Sequence, residues 1–280
     1  MKRILMALAV GLVTAACEKP PIIADDGGTR LRFIPTTADT RGTVSIGDYF
    51  SRLAVQLFDA NGNKVFSQSK TQARDDADFC TLNVGLLAGT YTVVAVGHSS
   101  PVTPNIKSTE LVQFTAKDGV KNSDTFCHYG TVTIDEDGGY HELRMNRMTA
   151  MITFEFTDAA MPDNYDGLKI DYTGGSANFN PSTSEGCTKS TQSELRSKNT
   201  PYVFTFPYLS ADGNLKVTLN ALDKDQNVLT TKVLSDVPVT RNRITKCTGP
   251  LFGESDYNII QTGFGITVNT DWDGEIEYHF

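Results

Sequence analysis

Apolar and polar residues alternate with a period of two along most of this chain, and no stretch sustains the 3.6-residue stripe of an amphipathic helix. Leu53, Val55 and Leu57 fall on one face of an extended segment, as do Tyr91, Val93 and Ala95. Ile152, Phe154 and Phe156 alternate with Thr153 and Glu155, and the same pattern continues through Val203-Phe204-Thr205-Phe206, Leu215-Val217-Leu219 and Phe264-Ile266-Val268. Turn-forming residues separate these runs: Asn61-Gly62, Ala88-Gly89, Asp137-Gly138-Gly139, Gly174-Gly175, Asp212-Gly213 and Asp273-Gly274. Short strands punctuated in this way predict an all-β chain of the antiparallel sandwich type. The last segment, Glu275 to Phe280, alternates strictly and stops without a polar tail. Such a strand either closes its own sheet or offers an edge to another chain.

A local echo points to two related units. Leu57-Phe58-Asp59-Ala60-Asn61-Gly62-Asn63-Lys64-Val65 resembles Ala221-Leu222-Asp223-Lys224-Asp225-Gln226-Asn227-Val228-Leu229, each a strand, a polar turn and a strand. The boundary is expected near Asn146-Arg147, after Leu143 and Met145 and before the apolar run 151–156, which divides the folded part into 29–147 and 148–280.

The first 16 residues read as a secretory leader: Lys2-Arg3, an apolar run from Ile4 to Ala16, and small residues before Cys17. That run is shorter than the roughly 18–20 apolar residues a spanning helix needs. Thr14-Ala15-Ala16-Cys17 resembles a lipobox, at which Cys17 is diacylated and becomes the mature N-terminus. Two or more acyl chains, at about 0.8 kcal/mol per buried CH₂, hold a protein on a membrane stably. Residues 17–28 then read as a tether, stiffened by Pro20-Pro21 and loosened by Gly27-Gly28.

Charge supports a lipid hold. The net charge of −8 becomes −10 once Lys2 and Arg3 leave with the leader, so an anionic surface repels the mature chain. The same sign argues against a nucleic-acid partner, because phosphate binding needs clustered cations.

Catalytic chemistry finds no foothold. Asp59-x-Asn61-x-Asn63 and Asp223-x-Asp225-x-Asn227 have the first oxygen ligands of a calcium loop, but Lys64 and Val228 stand where glycine is required and Lys70 and Leu234 where glutamate is. Hairpin turns are the better reading of both. His98, His128, His141 and His279 are scattered without zinc spacing and default to surface or strand-edge positions. There is no nucleophile elbow at Gly97-His98-Ser99-Ser100, no phosphate loop and no dinucleotide fingerprint. No catalytic residue, metal, cofactor or small-molecule substrate is therefore expected. Trp272 reads as a plug at the rim of a core. Cys80, Cys127, Cys187 and Cys247 either pair as Cys80–Cys127 and Cys187–Cys247, one bridge in each unit, or lie as buried thiols; the lack of CxxC spacing favours thiols.

Further segments carry a resemblance. They are Leu87-Ala88-Gly89-Thr90-Tyr91 leading into Val94-Ala95-Val96-Gly97-His98, Asp124-Thr125-Phe126 with Tyr129-Gly130-Thr131-Val132-Thr133, and Asn146-Arg147-Met148. In the second half come Tyr172-Thr173-Gly174-Gly175-Ser176, Tyr202-Val203-Phe204-Thr205-Phe206-Pro207, Val237-Pro238-Val239-Thr240-Arg241-Asn242-Arg243-Ile244-Thr245 and Thr248-Gly249-Pro250-Leu251-Phe252. With Asp59-Ala60-Asn61-Gly62, they resemble in order and spacing the FimB/Mfa-type minor fimbrial anchor family of the type V pili of Bacteroidales. The resemblance implies two tandem transthyretin-like β-sandwich domains, a lipid on Cys17, an outer-membrane location and no catalytic residues. It further implies a role seating or limiting a fimbrial polymer, with a stalk subunit as the partner by strand addition. Polymerising subunits of such pili lose their first strand to an Arg/Lys-directed protease. Here Leu31, Phe33 and Pro35 form the corresponding strand and Arg41-Gly42 the corresponding cut site, so a processed stalk or tip subunit is one alternative and a glycan-binding surface lipoprotein the other.

Overall fold

The computed structural model describes residues 28–36, 45–114, 122–207, 214–253, 272 and 275–280. The leader, the tether up to Gly27, Arg41, the run Phe264 to Val268 and the Asp212-Gly213 and Asp273-Gly274 turns lie outside these residues.

The chain forms nineteen strands and one helical turn among the described residues. The first half contains β1 (Thr29–Pro35), α1 (Ile46–Tyr49), β2 (Arg52–Phe58), β3 (Lys70–Ala73), β4 (Thr81–Val84), β5 (Gly89–His98), β6 (Asn105–Ser108), β7 (Leu111–Gln113), β8 (Thr125–Ile134) and β9 (Tyr140–Arg147). The second contains β10 (Ala150–Phe156), β11 (Gly167–Ser176), β12 (Asn178–Asn180), β13 (Glu185–Gly186), β14 (Lys189–Ser197), β15 (Tyr202–Thr205), β16 (Asn214–Leu222), β17 (Val228–Pro238), β18 (Ile244–Gly249) and β19 (Glu275–His279).

Seven strands of the first half form one sheet in the order β3-β2-β5-β8-β9-β1-β4. Only two residue pairs, Phe126 with Arg147 and Cys127 with Asn146, join β8 to β9. The sheet folds over at that junction, so Leu31, Phe33, Leu143 and Met145 on one flank pack against Leu53, Val55, Tyr91, Val93 and Phe126 on the other. In the second half β15-β10-β18-β19 faces β14-β11-β16-β17 across a core built on Ile152, Phe154, Ile170, Tyr172, Val217, Leu219 and Cys247. The chain is thus the all-β sandwich that its alternation predicts.

The two halves repeat one plan. In the first, β1 pairs antiparallel with β4 and parallel with β9; in the second, β10 pairs antiparallel with β15 and parallel with β18. The orders β3-β2-β5-β8 and β14-β11-β16-β17 correspond in the same way. The echoed turns do not occupy equivalent places in that plan: Asp59–Asn63 follows β2, whereas Asp223–Asn227 joins β16 to β17. Their likeness is local. In each, the first Asp accepts hydrogen bonds from the backbone N–H groups two and four residues on and from the Asn side-chain amide, which is how an Asx turn closes.

A third layer lies outside the expected pattern. β6 and β7 of the first half join β12 and β13 of the second in one small sheet, with Asn178 opposite Gln113 and Phe179 opposite Val112. It covers the outer face of β2, β5 and β8, where Ala54, Phe58, Val94, Val96 and Cys127 pack against Ile106, Val112, Phe114, Met148, Phe179 and Phe206. Covering both faces explains why β2 and β5 read as nearly continuous apolar runs rather than clean alternations. Gln56, the polar residue in that run, is fully buried and spends its amide on the backbone of Phe66 and Leu57.

Gly174-Gly175 is a correction. Instead of a turn between strands it lies inside β11, at a register shift between Thr173 and Ser176. Gly174 has φ of 115°, and a Cβ on Gly175 would collide with the Thr205 hydroxyl. The glycines let β11 kink so that Ser176 bridges to Phe206 beside the third layer.

Candidate functional site

Among the described residues the functional candidates are the strands β1 and β19 and the cleft where the halves meet. Among the described residues no group of three His, Cys, Asp or Glu side chains is placed to hold a metal ion.

β1 lies between two neighbours. Six residue pairs, Arg30–Tyr140 through Pro35–Met145, tie it to β9, and four tie it to β4. Leu31 and Phe33 point into the first core with no exposed surface. Taking this strand away would therefore open a slot that is apolar within and lined by unpaired backbone groups at its edges, the kind of groove that captures an extended segment.

β19 has the opposite character. Among the described residues it pairs only with β18, in parallel, from Ile244–Glu275 to Thr248–His279, and is the outermost strand of its sheet. None of its residues is fully buried. Tyr278 and Phe280 rest against the second core, and the Tyr278 hydroxyl donates to the carbonyl of Ser235 at 2.6 Å. A fixed turn follows β18. Asp158 accepts hydrogen bonds from the backbone N–H groups of Leu251, Phe252 and Gly253 at 2.6–2.9 Å. Burial alone would raise the Asp158 carboxyl, but the three donors outweigh it and leave its pKa below 3.8.

The halves meet around Arg147, which is 5% exposed. Its Nε donates to both oxygens of Asp124 at 2.9 and 3.0 Å, and Nη1 donates to Asn242 Oδ1 at 2.9 Å. The guanidinium lies 4.7 Å from the Phe126 ring centre and 3.8 Å from that of Trp272. Trp272 is thus a lid on an arginine rather than a plug in an apolar rim. Thr149 completes the knot by donating to Asp124 at 2.8 Å.

Cys17 and Arg41 lie outside the described residues. Cys80, Cys127, Cys187 and Cys247 are free thiols. Cys80, Cys127 and Cys247 sit in three separate apolar clusters, which is the arrangement of small packing residues rather than bridge partners. Burial pushes the Cys80 and Cys247 thiols up to about 12 and that of Cys127 still higher. Cys187 is only half-buried, with its thiol 3.9 Å from the Glu110 carbonyl. A thiol-reactive disulfide such as Ellman's reagent is expected to label Cys187 first under native conditions and the three buried thiols only on unfolding. An intact mass short of two protons for each cysteine pair would contradict this.

His98 departs from the surface default. It is 1% exposed, its ring meets Phe114 edge-on, and burial, with the charge of Arg52 behind it, lowers its pKa to about 4. The signal was its place in the doubly covered strand β5, visible in the unbroken run Val93 to Val96 that precedes it. The Arg147 knot draws on four separate segments, 124–126, 147–149, 242 and 272, and no local pattern in the sequence says that they meet.

A family profile described as fimbrillin-A associated anchor proteins Mfa1 and Mfa2 matches residues 16–277. No curated protein sequence matches the chain. Among solved structures, the fimbrial anchor protein Mfa2 of Porphyromonas gingivalis is 17% identical over 74% of this chain and 82% of its own, with a TM-score of 0.43. A fimbrial assembly protein of Parabacteroides distasonis is 12% identical over 82% and 92%, with a TM-score of 0.47. The tip fimbrial protein Mfa3 of Porphyromonas gingivalis, truncated at its C-terminus, is 12% identical over 74% and 81%, with a TM-score of 0.37. With nearly its whole length covered by that profile, the chain belongs to the family of fimbrillin-A associated anchor proteins.

Proposed function

We propose that this protein is a lipid-anchored, non-enzymatic minor subunit that seats or limits a fimbrial polymer at the outer membrane by β-strand addition. Two transthyretin-like domains, 29–147 and 148–280, follow a lipid on Cys17 and a short tether. The observation that carries the reading is the match of residues 16–277 to the anchor-protein family. In the uncut chain β1 lies between β9 and β4 with Leu31 and Phe33 fully buried, and an anchor that escapes cleavage at Arg41 would keep that slot closed to another subunit's strand. A subunit of that kind ends a polymer rather than extending it. The strand it offers is β19, which is outermost among the described strands of its sheet and nowhere fully buried.

Intact-mass measurement of the protein isolated from cells tests the anchor role. The expected mass begins at Cys17 with acyl chains attached. A mature N-terminus at Gly42 would replace this reading with that of a processed stalk or tip subunit.

The lability of β19 has its own test. A methyl group on Gly249 would run into the backbone carbonyl of Phe280. Gly249→Ala is expected to abolish hydrogen-exchange protection over 275–280 while leaving β10 and β16 protected and Tm changed by no more than a few degrees. Global loss of protection would make β19 an integral strand and remove it as the strand offered.

A further inference from the structure

Where the halves meet, a cleft of about 310 Å³ opens between the segments Ser99–Pro101 and Asn122–Asp124 on one side and Arg196, Tyr202 and Phe204 on the other. From its chemistry we infer that this cleft binds a neutral hexopyranose unit of a glycan, an activity separate from strand addition.

Charge is the first argument. The cleft holds one anion and one cation, and each already has its counter-charge. Asp124 is held by Arg147 at 2.9 Å, and Arg196 Nη2 donates to the buried Glu194 at 2.5 Å. A ligand carrying its own charge would find no unpaired counter-charge there to offset its desolvation, whereas the buried Arg196 Nε and Asn122 amide nitrogen, which have no hydrogen-bond partner among the described residues, can donate to a neutral oxygen. A polar but uncharged ligand meets no such penalty, and sugar hydroxyls, being both donors and acceptors, suit walls of serine hydroxyl, amide and carboxylate.

Shape is the second argument. Tyr202 and Phe204 stand two residues apart on β15, so both rings lie on the same face, about 7 Å apart along the strand. Both are half-buried and meet edge to face with centroids 5.8 Å apart. The Arg196 guanidinium, which also lines the cleft, lies 5.2 Å from the centre of the Tyr202 ring. The two rings stand 76° apart and form an aromatic corner with polar groups around it. The apolar C–H face of a pyranose would lie on one ring and against the edge of the other, and its equatorial hydroxyls would reach toward Ser99, Asn122 and Asp124. The volume accommodates one or two such units. The rest of β15 is structural: Val203 and Thr205 alternate with the two aromatics and have no exposed surface.

Saturation-transfer NMR and titration on the full chain purified from cells test this directly, using methyl α-D-glucopyranoside, methyl α-D-mannopyranoside and methyl β-D-galactopyranoside. Glucuronate and glucosamine serve as the anionic and cationic arms. At least one neutral glycoside is expected to bind in the millimolar range, with its ring protons receiving saturation. Tyr202→Ala and Phe204→Ala are each expected to weaken binding about five- to tenfold. Tyr202→Phe is expected to keep it, and so is Tyr129→Ala, which removes an exposed tyrosine of β8 outside the cleft. Three results would overturn the inference: no neutral glycoside bound, Tyr202→Ala and Phe204→Ala both binding as the unaltered chain does, or a charged sugar binding more tightly than the neutral ones. Intact mass and pilus association are read separately, so failure here leaves the anchor reading standing, and the reverse also holds.

Discussion

Asp124→Ala is expected to destabilise the protein by about 3–5 kcal/mol, because it strands the Arg147 guanidinium in the interior without its counter-charge. For a chain of this size that loss lowers Tm by roughly 10 °C or more, measurable by thermal and urea unfolding. The guanidinium side chain is 3% exposed, and the Nε bonds to Asp124 are the contacts that offset its desolvation. The Phe126 and Trp272 rings both pack on it and exclude water that would otherwise compensate. The double variant Asp124→Ala with Arg147→Met removes both charges and leaves an apolar stem between the rings. It is expected to recover most of the loss, since replacing a buried ion pair by packed apolar groups is often close to neutral. A Tm within about 2 °C of the unaltered chain for Asp124→Ala alone would show that the pair is hydrated and contributes little.

The Arg147 knot also marks where sequence reading ended. Alternation located β2, β5, β10, β15 and β16, because on a strand the side-chain period is two and one buried face imposes it. The expected boundary near residue 147 rested on the apolar run 151–156, which lies in β10. What alternation missed was pairing across long separations. The parallel pairs β1–β9, β10–β18 and β18–β19 and the small sheet shared by β7 and β12 follow from tertiary packing, and nothing local encodes them. Gly174-Gly175 looked like a turn because a kinked strand and a turn need the same residue. The cleft was invisible for a related reason. Tyr202 and Phe204 were legible as strand residues, but only the fold brings Arg196 and Asn122 beside them. Cys17 and Arg41 depend on motif likeness alone, and protein isolated from cells is the place to test both.

The second large effect is expected from Phe206→Ala. Phe206 is 1% exposed and stacks on Phe114 with ring centres 5.7 Å apart, while Phe179 lies 5.0 Å away on its other flank. Truncating such a ring costs about 3–5 kcal/mol. The location decides what that loss does. Phe114 belongs to the first half and Phe179 and Phe206 to the second, and all three lie in the cluster under the shared small sheet rather than in either half's own core. The cost falls mainly on the coupling between halves and spares the two cores, which keep Leu31, Phe33, Ile152 and Phe154 intact. The unaltered chain is therefore expected to unfold in one calorimetric transition and Phe206→Ala in two, with the van't Hoff enthalpy of each falling below the total calorimetric enthalpy. In the proposed role pull enters at the lipid on Cys17 and leaves through a strand partner held near β18, so it crosses this joint. Halves coupled through a shared sheet would yield together, whereas uncoupled ones would yield one at a time. One transition with matching enthalpies in Phe206→Ala would place the coupling elsewhere, for instance in the hydrogen bond from Arg147 to Asn242 that crosses between the halves.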